Sequence, residues 1–148
     1  MDLLKINRDI NLLAPFVQEK LAKALLQCRD QGLQVELFEG FRTPDRQEDL
    51  YAAGRTKTGP KVTNARAWES FHNWGLACDL AFKVKGRWTW DGAWDKVSSI
   101  MELYQFESLS WEKPHFQITG GMTHEEALQY SIAHGLQALW LLIEKKVS

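Results

Sequence analysis

Ser70-Phe71-His72-Asn73-Trp74-Gly75-Leu76-Ala77-Cys78-Asp79 is the stretch that decides how this chain is read. Gly75 permits a tight turn, and the run from Gly75 to Phe82 has the character of a buried strand entered through it. A turn followed by an extended run lets His72 and Asp79 deliver their side chains to one point. A second segment, Glu112-Lys113-Pro114-His115, adds another imidazole and another carboxylate. Two imidazoles and one carboxylate are three metal ligands of the kind that leave a fourth position open for water. Glu112 then remains unligated and free to move protons, so the two segments together hold the parts of a hydrolytic zinc site.

Working outward, Glu112 and His115 are three apart, which in a plain strand sends them to opposite faces. Pro114 breaks the alternation, because it donates no ladder hydrogen bond and restricts Lys113 as well; the segment is expected at a sheet edge or in a bulge. His115 and Gln117 then share a face, with Phe116 and Ile118 turned to the core. Upstream, Phe16, Val17, Leu21, Ala24, Leu25 and Cys28 recur at helical spacing between Pro15 and Asp30, and Gly32 follows. Leu33 to Phe38 alternates as a half-buried strand, and Thr43-Pro44 reads as cap and first residue of a helix that stops near Gly54. Arg42 therefore lies at a strand-to-helix junction, a fixed cation able to grip a carboxylate or steady an oxyanion.

Gly54 to Glu69, with its glycines, proline and polar residues, is expected to be a long surface loop. Lys83 to Trp90 suggests a hairpin around Gly86, and Ala93 to Tyr104 a helix presenting Trp94, Val97, Met101 and Tyr104. Thr123-x-x-Glu126 is a capping box, expected to open one long helix ending near Lys146. This order of elements predicts an α+β fold, with a small, mostly antiparallel sheet packed with helices.

The 148 residues, 45% of them hydrophobic, fit one domain able to bury a core without disulfides or oligomerisation, so residues 1–148 are expected to form a single catalytic domain and a monomer. A net charge of -1 argues against a broad nucleic-acid or anionic-membrane surface, and nothing approaches a membrane span. Cys28 and Cys78 fit a reduced pair, since the first residues lack the basic-then-apolar pattern of a signal peptide. His124 and His134 fall roughly 80° apart on their helix and do not make an i,i+4 ligand pair, so both are assigned to structure. Trp88, Trp90 and Trp94 read as packing rather than sugar platforms. The loop Gly54 to Lys61 lacks the Gly-Lys-Ser/Thr ending of a phosphate loop, and Ala138 to Ile143 reads as a helix face buried against the sheet.

These motifs resemble the zinc peptidases that include D-alanyl-D-alanine carboxypeptidases and phage endolysins of the L-alanyl-D-glutamate peptidase type. The family pattern Ser-x-His-x-x-Gly-x-Ala-x-Asp is met by Ser70, His72, Gly75, Ala77 and Asp79, and its acid-x-x-His by Glu112 and His115. Glu39 to Thr43, Gly54 to Thr56 and Val62 to Ala65 also look like the endolysin branch, so the similarity runs from about Pro15 to Gln117. The resemblance implies zinc on His72, Asp79 and His115, Glu112 as catalytic base and Arg42 against substrate. Ser70 would be a supporting hydrogen-bonder, either capping its turn or steadying a ligand, and Gln117 a substrate-binding or supporting residue. It implies a fold shared with the hedgehog signalling domain. Where many relatives carry a longer glycine- and tryptophan-rich segment, this chain runs directly through Gln105 to Trp111, which bears on one wall of the groove.

The expected function is a peptidoglycan-degrading zinc endopeptidase, an endolysin cutting between L-alanine and D-glutamate of the stem peptide. No separate wall-binding module is expected, and the protein would wait in the host cytoplasm until lysis admits it to the wall. Two alternatives stay open: a D-alanyl-D-alanine carboxypeptidase, with Arg42 on the free carboxylate, and a non-catalytic metal-binding module of the same fold.

Overall fold

In the computed structural model, which describes residues 2–148, the amphipathic helix runs as α1, Pro15–Asp30. Pro15 occupies the first turn, where a missing N–H costs no hydrogen bond, and Phe16, Val17, Leu21, Ala24 and Cys28 turn one face inward. The chain reverses at Gly32 into β1, Val35–Glu39, and then enters α2, Pro44–Ala52. Thr43 caps α2 by accepting the Arg46 N–H on its hydroxyl. Residues 53 to 70 form the expected long loop, with a single isolated bridge between Ala53 and Lys57.

A 3-10 turn, Phe71–Trp74, ends at Gly75 with φ of 69° and feeds β2, Ala77–Val84. Lys85 and Gly86 return the chain as β3, Arg87–Thr89. The helix α3, Trp94–Leu103, is followed by β4, Glu107–Leu109, β5, Glu112–Gln117, α4, His124–His134, and α5, Leu136–Val147. Every strand pairing is antiparallel, in the order β1-β2-β5-β4, with β3 joined to the far end of β2. The fold is therefore α+β, as the order of elements predicts.

The sheet has two unlike faces. Cys78, Leu80, Phe82 and Phe116 belong to one hydrophobic cluster that also takes in Leu21 and Cys28 of α1, Val97 and Met101 of α3, and Leu139 and Ile143 of α5. The alternate residues of β2 and β5, Asp79, His115 and Gln117, lie on the other face, where Asp79 is the direct cross-strand partner of His115. β1 brings Glu39 to Asp79 through a bulge. Leu37 pairs with Leu80 on the core side, Phe38 is the extra residue, and Glu39 then pairs with Asp79.

Three expectations are corrected. The C-terminal helix is broken in two at Gly135, whose φ of 92° and ψ of 164° lie far from helical values. Residues 107–109, assigned no element from sequence, form β4. β5 is an interior strand rather than an edge, and the bulge alternative holds: Ser108 pairs with Phe116 but Leu109 pairs with Glu112, which leaves Pro114 in the gap.

Gly75 fixes how the 3-10 turn meets α1. Its carbonyl accepts the Ala14 N–H at 2.9 Å, and a Cβ there would stand 2.9 Å from the Leu12 carbonyl oxygen. Gly75→Ala is expected to cost at least about 1–3 kcal/mol from the left-handed backbone alone, with the contact adding to it. Denaturant unfolding measures this; a loss under about 0.5 kcal/mol, the ordinary surface-substitution level, would contradict it.

Candidate metal centre and its cavity

His72, Asp79 and His115 each offer one ligand atom, and the three atoms lie within 4.8 Å of one another. They reach that point from different directions. His115 comes across the ladder from Asp79, while His72 comes from the 3-10 turn, whose first N–H groups are capped by the Ser70 hydroxyl accepting from His72 N at 3.3 Å. The turn is strapped to the loop after β1: Arg42 N–H donates to the His72 carbonyl at 3.0 Å, and the Asn73 amide donates to the Arg42 carbonyl at 2.9 Å.

The outer nitrogens of both imidazoles are occupied by acceptors. His72 Nδ1 lies 2.8 Å from the Gly40 carbonyl, which can only accept, so that nitrogen carries the proton and the Nε2 lone pair is turned toward Asp79. His115 Nε2 lies 2.8 Å from the Gln117 amide oxygen, which leaves Nδ1 to face Asp79 in the same way. The inner nitrogens stand 3.1 and 3.2 Å from the same Asp79 Oδ1. Two ring nitrogens against one carboxylate oxygen are satisfied by a shared proton or by a bound cation, and second partners on the outer nitrogens are what metal-ligating histidines have. The residues fit a zinc ion in donor type and in number.

The crowding shifts each group's charge state. Burial alone would push the Asp79 carboxyl up, yet the His72 and His115 rings hold it well below the usual carboxylate range. Burial pushes His72 toward its neutral form. At His115 burial acts in the same direction, but Asp79 overcomes it and raises the ring. Asp79 is thus an anion whose Oδ1 serves the ligand cluster, while its Oδ2 accepts from Arg42 Nη2 at 3.3 Å.

Arg42 is 8% exposed and both its terminal nitrogens are engaged, while its buried Nε has no partner. Its Nη2 also donates to Glu39 Oε1 at 2.8 Å and its Nη1 to Gln47 Oε1 at 3.1 Å. Glu39 additionally pairs with Arg46, and the two arginines keep its carboxyl low against the opposing effect of burial. Arg42 borders the cavity, but its charge is spent on Glu39 and Asp79. The geometry makes it a residue that positions Asp79.

Above the ligands opens a cavity of about 570 Å³. Its floor includes His72, His115 and Gln117, one wall is the loop from Val62 to Ala65 with Glu69 and Ser70, and the other is Leu109, Trp111 and Glu112. The short Gln105 to Trp111 segment therefore does build a wall, as the β4–β5 hairpin, and Trp111 stands 79% exposed on its rim. Glu112 is exposed at the start of β5 and receives no hydrogen bond among the described residues. The neighbouring protein partly desolvates its carboxyl and raises its pKa, with His115 acting in the opposite direction. A raised carboxyl is a better match to proton transfer near neutral pH.

All seven residues singled out from sequence border the cavity or supply the ligand atoms. Sequence reasoning missed the Gly40 carbonyl, Glu39 and Gln47 behind them, and gave His124 no place at the cavity. That histidine, assigned to structure from its spacing to His134, lines the cavity from the first turn of α4. Cys28 and Cys78 are buried free thiols, pushed up by burial, and neither is a ligand in the cluster.

Comparison with known proteins adds the lineage. Residues 11–130 match the VanY family, described as D-alanyl-D-alanine carboxypeptidase, and the chain belongs to that family. It is also 42% identical over 84 residues to the peptidoglycan L-alanyl-D-glutamate endopeptidase CwlK of Bacillus subtilis strain 168, an alignment covering 56% of this chain and 50% of that protein. The chain thus spans about half the length of the curated relative it matches.

Proposed function

We propose that this chain is a zinc endopeptidase of peptidoglycan, cutting the L-alanyl-D-glutamate bond of the stem peptide. The observation that carries the hydrolytic reading is Glu112, a carboxylate free of protein partners on the same cavity as the three-ligand cluster. Two histidines and a carboxylate suit iron(II) as well as zinc; the free base beside them is what hydrolysis needs and what favours zinc. Zinc bound by His72, Asp79 and His115 would polarise the substrate carbonyl and acidify a water.

The protein's own groups do the rest. Glu112 accepts the proton of the attacking water and passes it to the nitrogen of the departing amine, so the C–N bond breaks as an acid and a neutral amine form. Gln117 and Gly40 hold the imidazoles in the tautomers that face inward. Arg42 fixes Asp79 from behind, and Trp111 with the Val62 to Ala65 loop shields the bond from bulk water.

The choice of bond follows from the likeness to CwlK and from the state of Arg42. A carboxypeptidase needs a cation for the free terminal carboxylate, and Arg42 is the one lysine or arginine on the cavity wall among the described residues. Its charge is already neutralised by Glu39 and Asp79. The carboxypeptidase reading rests on the family's description; the non-catalytic reading leaves Glu112 without a role. We assign the protein to phage-type lysis, as a monomer made in the host cytoplasm and acting at the wall.

Purified protein incubated with Gram-negative peptidoglycan, with and without a chelator followed by zinc, tests this directly. New D-glutamyl amino termini that vanish on chelation and return with zinc are expected. Free D-alanine would instead establish the carboxypeptidase, and no product from metal-loaded protein would leave the binding module.

A further inference from the structure

Trp68 is a bulky residue held at φ of 65°, a left-handed backbone that side chains other than glycine seldom adopt. Such a conformation is strained and persists only where surroundings enforce it. Here they do. The Trp68 N–H donates to the Asn73 side-chain oxygen at 2.9 Å, and the same Asn73 amide donates to the Arg42 carbonyl behind the ligand cluster. The Ala67 N–H donates to Glu48 Oε2 at 2.9 Å, and the Glu69 N–H to the Arg66 carbonyl. The indole rests on buried Trp74, 5.7 Å between ring centroids, yet remains 37% exposed.

That ring borders a second groove, of about 470 Å³, which shares Glu69 and His124 with the cavity over the ligands and is also lined by Gln129. The two depressions are thus neighbours with a common border at Glu69 and His124, and Trp68 lies on the second. Polar groups around an exposed indole suit a ligand with one apolar face and several hydroxyl or amide groups.

If the proposed cleavage is right, such a ligand stands next to the scissile bond by necessity. Only the L-alanine and a lactyl link separate the cleaved carbonyl from the N-acetylated sugar that carries the stem, a reach of about 7 Å in extended form. We propose that the Trp68 groove is a saccharide subsite, where the indole stacks on that sugar and sets the preference for sugar-bearing stems. The inference rests on the endopeptidase reading, since a carboxypeptidase acts at the other end of the stem and has no sugar nearby.

The test has two arms, both on the full chain. In the first, zinc-loaded protein is given a muramyl-bearing stem peptide and the same peptide without sugar. Wild type is expected to favour the first in kcat/KM by roughly tenfold, the scale of one aromatic contact, and Trp68→Ala to lose the preference while keeping its rate on the bare peptide. Trp68→Phe should restore part of it. Equal loss on both substrates, or no loss on either, overturns the proposal.

In the second arm, N-acetylmuramyl-L-alanine is titrated into wild type and Trp68→Ala by calorimetry, which needs no turnover. Binding that depends on Trp68 supports the subsite even if neither peptide is cut, a result that would sink the peptidase reading alone. Wild type that cuts both peptides equally and does not bind the fragment leaves the peptidase standing and removes the subsite.

Discussion

Glu112→Gln is expected to lower kcat by about 10²–10⁴-fold, the usual contribution of a positioned general base, with zinc content unchanged. The separation of the two readouts follows from geometry. Glu112 lies at the exposed start of β5 and is not among the three converging ligand atoms, so an isosteric amide removes the proton acceptor and leaves the cluster intact. Its side chain donates to and accepts from no protein partner among the described residues, so the fold loses nothing when the charge is removed. Steady-state kinetics on a stem-peptide substrate, beside metal analysis by atomic emission, reads both quantities. Residual activity within tenfold of wild type would take Glu112 out of the mechanism, and loss of zinc would make it a ligand.

His115→Ala is expected to abolish both metal binding and hydrolysis. His115 stands directly across the ladder from Asp79, so its removal deletes a donor from the centre of the cluster without disturbing β2. Gln117→Leu supplies the graded comparison, because it keeps all three ligands and removes only the acceptor that holds the His115 ring. Loss of such an outer partner typically weakens metal affinity by roughly 10–100-fold, and loss of a ligand should exceed that. Competition with a chelator of known affinity orders the three proteins. Undiminished zinc occupancy in His115→Ala would show the ligand set to be wrong.

Much of this was legible in the chain itself, for identifiable reasons. α1 was readable end to end because its apolar spacing, its leading proline and its trailing glycine agree with one another. The ligands could be found because turn and strand place His72 and Asp79 together with little help from distant contacts. The C-terminal helix was misread because an isolated glycine inside an apolar helical pattern is ambiguous, and only the observed backbone of Gly135 resolves it. β4 is three residues long, below the length at which alternation means anything. Pro114 suggested an edge or a bulge, and the slipped β4–β5 register is the bulge that lets an interior strand carry it. The backs of the ligands were invisible for a different reason: the Gly40 carbonyl has no side chain to announce it, and the Glu39–Arg42–Asp79 chain of contacts crosses 40 positions.

One residue of slack in β1 has a further meaning. Up to Leu37 the strand answers to volume, since its inward side chains fill the interior opposite Leu80 and Phe82; from Glu39 on it answers to charge, since the next side chain meets Asp79 and Arg42. The bulge at Phe38 is the splice between those two vocabularies, and it lets selection edit one half of a five-residue strand without rewriting the other. Deleting that single residue would leave Leu37 opposite Leu80 and Glu39 opposite Asp79 but remove the bend between them, so the carboxylate would have to meet Arg42 from a straight strand.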